Sequence, residues 1–153
     1  MTFPRAVAAC PRLSGHFSRG LGALRRLDRG RVTMTNTRLI NASVNVEDAQ
    51  REAGGQDPTW DYGIGISAPG DDVAIWVEVH SADSHHVQSV LNKLDALLKF
   101  LKKEAPDLNS LPGRYVWLAT GRVHIAPDSR ERRRLNSRGL VLRSKQFDLQ
   151  SVL

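Results

Sequence analysis

Two runs of strict apolar–polar alternation, residues 60–67 and 73–80, constrain this chain more than any other feature. In the first, Trp60, Tyr62, Ile64 and Ile66 share one face, and Asp61, Gly63, Gly65 and Ser67 the other. In the second, Val73, Ile75, Val77 and Val79 stand opposite Ala74, Trp76, Glu78 and His80. Period two is the mark of a strand, and Pro69-Gly70-Asp71-Asp72 between the runs is a turn signal, so they predict an antiparallel hairpin. Downstream, Val87, Val90, Leu91, Leu94, Leu97, Leu98 and Leu101 recur at helical spacing. They predict a long helix over 85–104 with a wide core-facing stripe, Ser84 as its N-cap and Pro106 as its stop. Residues 115–120 read as a buried strand. Strand, helix and strand then form a β-α-β unit with a right-handed crossover and parallel strands. The fold class that follows is α/β, a small mixed sheet (antiparallel hairpin plus parallel crossover) with helices packed on it.

The flanks fill in around this unit. Residues 37–46 are β-branched and predict a short strand. Asn45 caps a helix with Glu47 and Asp48 in its acidic first turn, ending near Ala53 before Gly54-Gly55. After a strand or turn at 123–125, a short helix from Ser129 to about Asn136 stops near Gly139, and 140–142 predicts an edge strand. The chain's 153 residues allow one domain with a real core, which we place at 38–153.

The net charge of +6 belongs to one end. Residues 1–33 hold seven arginines against one acid, Asp28, and the rest is balanced at fifteen of each sign. The basic pI is thus no argument for nucleic-acid binding by the folded part. With little periodicity and four glycines, residues 1–37 are expected to be a disordered basic extension. Three origins fit it: an artefactual extension with Met34 as the true start, an organelle-type targeting peptide, or an arm for nucleic acid or acidic lipid. No run has the length of a membrane span, so no membrane partner is expected. The lone Cys10 cannot form an internal disulfide, and a cytoplasmic setting is the simplest expectation. The sequence carries no signal for a protein partner or an oligomeric state.

The chemistry concentrates on the hairpin. Burying both apolar faces together requires even residues of the first strand to oppose odd residues of the second. Two registers satisfy this, one setting Asp61 opposite Glu78, the other setting Asp61 opposite His80. Either way Asp61, Glu78 and His80 share a face within about 5 Å between directly opposed Cβ atoms. Trp76 covers Gly63 or Gly65 there. Two carboxylates so placed repel and raise one pKa without a cation, and become ligands with Mg²⁺ or Mn²⁺.

The run Trp60-Asp61-Tyr62, then Glu78-Val79-His80, a long helix and a strand resembles the PD-(D/E)XK nuclease-like (restriction-endonuclease-like) superfamily over roughly residues 45–125. The resemblance implies a restriction-endonuclease-like core and a metal-dependent nuclease-like activity on nucleic acid. Asp61 and Glu78 would be metal ligands, and together with His80 and Lys93 they would form the catalytic set. His80 stands where the family's strand lysine belongs. It could act as base or ligand, or Lys93 on the long helix could supply the charge, as in members with a relocated lysine. Alternatively, the chain keeps the fold as an inactive interaction domain. Arg130, Arg133, Arg134 and Arg138 form a basic patch suited to phosphates or to solvent. His80, Asp83, His85 and His86 suggest a third reading, a non-nuclease metal hydrolase using histidines. Their spacing matches no standard zinc motif, and His85 and His86 would point about 100° apart on a helix. His124 reads as structural.

Overall fold

The computed structural model describes all 153 residues. Its elements in chain order are α1 (Phe3–Ala8), α2 (Pro11–Ser14), β1 (Phe17–Arg19), α3 (Arg26–Arg29), β2 (Val32–Thr33), β3 (Ile40–Asn45), α4 (Val46–Glu52) and β4 (Tyr62–Ile66). They continue with β5 (Val73–His80), α5 (Val87–Glu104), α6 (Pro106–Ser110), β6 (Gly113–Ala119), α7 (Arg130–Ser137), β7 (Leu140–Ser144) and β8 (Phe147–Asp148). Six strands make one mixed sheet in the order β1-β3-β4-β5-β6-β7, while β2 and β8 pair separately. The β3–β4–β5 part is antiparallel and β5–β6–β7 parallel. The hairpin and the β5-α5-β6 crossover are therefore as their sequence patterns predict.

Register decides the site. Tyr62 pairs with Val77, Gly63 with Trp76 and Ile66 with Val73. This is the first of the two permitted registers, and continuing the ladder by one residue sets Asp61 opposite Glu78. A Cβ on Gly63 would lie 2.6 Å from the Trp76 ring, so glycine is required where the indole crosses the strand.

Capping at α4 follows the sequence. The Asn45 side chain accepts from the Asp48 amide at 2.9 Å, and Gly54, at φ +84°, takes the left-handed turn after the helix. Ser129 likewise caps α7. Ser84 does not cap the long helix. A 3₁₀ turn over Ser84–His86 comes first, and α5 starts at Val87. Phe100 is buried in its stripe, with Leu98 only partly covered. Residues 123–125 make no ladder, only a single bridge from His124 to Asp83.

The N-terminal residues depart most from expectation. Rather than being disordered, residues 1–37 contribute to both cores. On one sheet face, Phe3, Ala6, Val7, Cys10 and Leu13 are at most 1% exposed and pack with Trp76, Trp117 and the α5 stripe. The Phe3 amide donates to the buried Asp72 carboxylate at 2.7 Å, and a Cβ on Gly65 would sit 2.4 Å from the Phe3 ring. The opposite face presents Tyr62, Ile64, Ile66, Ile75, Val77, Val116 and Leu118. With Ile40 of β3 on the same face, it is covered by Leu24, Val32 and Met34 together with Phe147 and Leu149. A sheet with two apolar faces needs two covering layers; Phe3, Ala6, Val7 and Cys10 stand at helical spacing over α1 and the start of α2, whereas the cover of the opposite face comes from loops and two-residue strands without a period. Four of its arginines are engaged: Arg12 with Gln50, Arg25 with Asp48, Arg29 with the Leu24 carbonyl and Arg31 with the Thr120 carbonyl. No helix is long and apolar enough to cross a membrane.

Candidate functional site

Strand pairing and one helix assemble a charged cluster inside the helical face of the sheet. Asp61, just before β4, is 7% exposed, and Glu78 on β5 is fully buried. Because β3 pairs with β4 through Asn45 and Tyr62, the first turn of α4 lands beside Asp61. The Asp61 carbonyl accepts from the amides of Val46 and Glu47. The Glu47 and Glu78 carboxyls both lie close enough to Asp61 to perturb its ionisation. Lys93 reaches down from α5 and donates to Glu78 Oε2 at 2.6 Å. Asp61 Oδ2 accepts from the Val79 amide at 2.9 Å.

Three carboxyls in so small a volume cannot all ionise freely. Burial first, then the Glu78 charge and the hydrogen bond to Glu47, push Asp61 up to about 9. Glu47 is held below its ordinary value because it accepts from Asp61, with Arg25 and Arg51 adding to the effect. Burial also raises Glu78, against the opposing pull of Lys93. Burial alone would lower Lys93, but the Glu78 carboxylate outweighs it and the net shift is upward. At neutral pH the trio therefore retains a proton, shared on the Asp61 side of the cluster. Glu78 Oε1 is buried with no donor facing it, so its second oxygen needs either that shared proton or a cation.

A pH dependence follows. An acid whose folded pKa lies above its unfolded value stabilises the fold below the unfolded pKa, and that contribution is lost as pH rises through the folded one. For Asp61 the window runs from the ordinary carboxylate range to about 9. In Asp61→Asn the amide keeps a donor toward the carboxylates without titrating. Relative to the variant, the parent should lose stability steadily between pH 5 and 9, by the order of a few kcal/mol. Urea unfolding of both chains across this range checks it; parallel curves would mean that Asp61 is ionised throughout.

Through Glu47 and Lys93 the cluster borders a solvent-exposed cavity. Glu47 and Lys93 line a wholly polar cavity of about 290 Å³ with Gln50, Arg51 and the 55–59 loop. A neighbouring cavity of about 420 Å³ shares Gln50, Gly55, Asp57, Pro58 and Thr59 with it and adds Arg12, Lys99 and Lys103. Together they form a groove along one flank of α5 that carries five cations, Arg12, Arg51, Lys93, Lys99 and Lys103, against three acids, Glu47, Asp57 and Glu104.

Asp61, Glu78 and Lys93 thus meet. His80 shares the sheet face of Glu78 but does not join them. Its Nδ1 donates to the Ser81 carbonyl at 2.8 Å and its ring packs edge-on against His86. Arg130, Arg133, Arg134 and Arg138 are not at the site. Arg134 and Arg138 bond Gln88 and Asp95, which lie about 200–220° around α5 from Lys93, and Arg133 bonds the Asp128 carbonyl. Glu47, Arg25 and Arg51 were not singled out from sequence. The signal was present in the strand at 37–46: pairing it with the next strand brings the helix after Asn45 against Asp61. Comparison with family models, curated protein sequences and solved structures finds no match to this chain.

Proposed function

We propose that the chain is a divergent metal-dependent, nuclease-like domain with a restriction-endonuclease-like core, acting on or binding nucleic acid. Asp61, Glu78 and Glu47 would hold Mg²⁺ or Mn²⁺, an all-oxygen donor set suited to hard cations. The observation that carries the reading is the convergence of these carboxyls around a buried, donorless Glu78 oxygen with Lys93 at 2.6 Å from its partner oxygen. Lys93 then supplies from the helix the charge that His80 does not supply from the strand. A bound divalent ion would polarise a phosphodiester and activate water. The chain's own part is to hold the carboxylates, to take the proton off Asp61 when a cation replaces it, and to guide the phosphate backbone along the basic groove of α5.

Isothermal titration of the metal-free chain with Mn²⁺ should show one site, with binding lost in Asp61→Asn and in Glu78→Gln. Equal heats from parent and variants would end the proposal. One observation favours the inactive alternative. Glu78 is fully buried and already paired with Lys93, as in a centre kept for structure alone. Under that reading Mn²⁺ produces no heat and no DNA or RNA is cut with any metal.

A further inference from the structure

Just past the C-terminal end of β5, beyond Glu78 and His80, a second group of ligating side chains lies outside the carboxylate cluster. Asp83, His85 and His86 each offer one ligand atom, and these atoms all lie within 4.8 Å of one another. His86 Nδ1 stands 3.4 Å from Asp83 Oδ2 and 3.4 Å from Ser81 Oγ. Both separations exceed the 2.7–3.2 Å of a good N–H···O bond, so this nitrogen has no strong partner. Two ligands on a tetrahedral ion with bonds of about 2.0–2.1 Å stand about 3.4 Å apart, the spacing of the His86–Asp83 pair; with all three ligand atoms within 4.8 Å, side-chain rotation brings His85 into the same range.

The 3₁₀ turn explains why the two histidines converge despite being adjacent in sequence. It replaces the first turn of α-helix and brings the His85 and His86 rings to 4.1 Å between centroids. The turn is anchored on both sides. The His124 amide donates to the Ala82 carbonyl at 2.8 Å and the His86 amide to the Asp83 carbonyl at 3.0 Å. His80 packs edge-on on His86 at 4.6 Å, with its own ring fixed by the Ser81 carbonyl.

We infer that Asp83, His85 and His86 form a second metal site, for a zinc-class transition-metal ion, with water completing the coordination. Two imidazoles and one carboxylate select zinc, nickel or copper over magnesium or calcium, so the site differs in kind from the all-oxygen centre and does not depend on it. All three side chains are exposed or only partly covered, which gives the ion direct access and lets the ligands close by side-chain rotation.

The test is Zn²⁺ competition against a chromogenic chelator at pH 7.5, using the full chain without a histidine tag and stripped of metal. One Zn²⁺ per chain is expected. His85→Ala/His86→Ala should weaken binding about 100-fold or more, and Asp83→Asn about tenfold. Glu78→Gln should leave Zn²⁺ binding unchanged while removing Mn²⁺ binding, which separates the two centres. Co²⁺ in the parent should give the visible bands of a tetrahedral complex, absent in the double variant. Circular dichroism of the double variant should match the parent because neither ring is in the core. The inference is overturned if the parent does not compete for Zn²⁺, if the double variant binds as tightly, or if Glu78→Gln loses Zn²⁺ to the same degree.

Discussion

A chain beginning at Met34 should fail to fold cooperatively. Residues 1–33 place Phe3, Val7 and Leu13 in the helix-side core and Leu24 and Val32 in the other, each at most 6% exposed. Fully burying one such side chain is worth about 1.5–3 kcal/mol, so losing the first three alone removes about 5–9 kcal/mol. That matches the whole stability of an ordinary domain, about 5–15 kcal/mol. The deletion also strips β1 from β3 and β2 from β8 and uncovers Trp76 and Gly65. Urea unfolding of residues 34–153 should show no sigmoidal transition, with dye-binding apolar surface already exposed in buffer. A cooperative transition near the parent midpoint would mean that the first 33 residues are an appendage after all. A milder probe is Phe3→Ala, which should cost about 3–5 kcal/mol and leave a folded chain.

The central half of the fold was legible because its residues follow simple periods. Alternation fixed the faces of β4 and β5, and the opposition of the two apolar faces left only two registers. The spacing of Val87, Leu91, Leu94 and Leu101 oriented α5, and Asn45 and Ser129 announced their helices. The first 37 residues were harder to read: Phe3, Ala6, Val7 and Cys10 recur at helical spacing, but only across two short helices. Leu24, Val32 and Met34 cover the sheet from loops and two-residue strands, which have no period to detect. Arginine-rich composition then suggested disorder. Yet the clue lay elsewhere in the chain. The face of Tyr62, Ile64, Ile66, Ile75 and Val77 is apolar throughout, and the single long helix can cover only one side of a sheet. Some other segment had to supply the second layer, and the residues at the two ends of the chain were the ones left over.

The site divided along the same line. Asp61 and Glu78 were legible because they obey strand alternation, whereas Lys93 came from the resemblance to nucleases with a lysine on the long helix. Glu47 was hidden because it depends on a strand pairing rather than on local pattern. His80 was misleading because parity sets the face of a side chain but not its rotamer. At the end of the strand its ring turns toward Ser81 and His86. The arginines of α7 form a patch in sequence, but sequence does not fix which flank of α5 they meet, and they pair with Gln88 and Asp95.

Lys93→Met should destabilise the chain more than any other single substitution at the site. Glu78 has no exposed surface, and its only ion-pair partner is Lys93, itself 17% exposed. Removing one member of a buried pair strands the other charge, at about 3–5 kcal/mol. The converse change is milder. In Glu78→Gln the lysine can swing its ammonium into the polar groove beside Glu47, leaving mainly a lost hydrogen bond of about 1–3 kcal/mol. The double variant Glu78→Gln/Lys93→Met carries neither charge and should recover most of the deficit of Lys93→Met. Urea midpoints of the four chains form a cycle that isolates the pair. Mn²⁺ then separates the two functional readings. If the carboxyls hold a cation, saturating Mn²⁺ replaces the missing lysine charge and raises the Lys93→Met midpoint by more than it raises that of Glu78→Gln. If the cluster is purely structural, the ion shifts neither chain. A Lys93→Met chain as stable as the parent in the absence of metal would show that Glu78 is held neutral, and the buried ion pair on which the site is built would not exist.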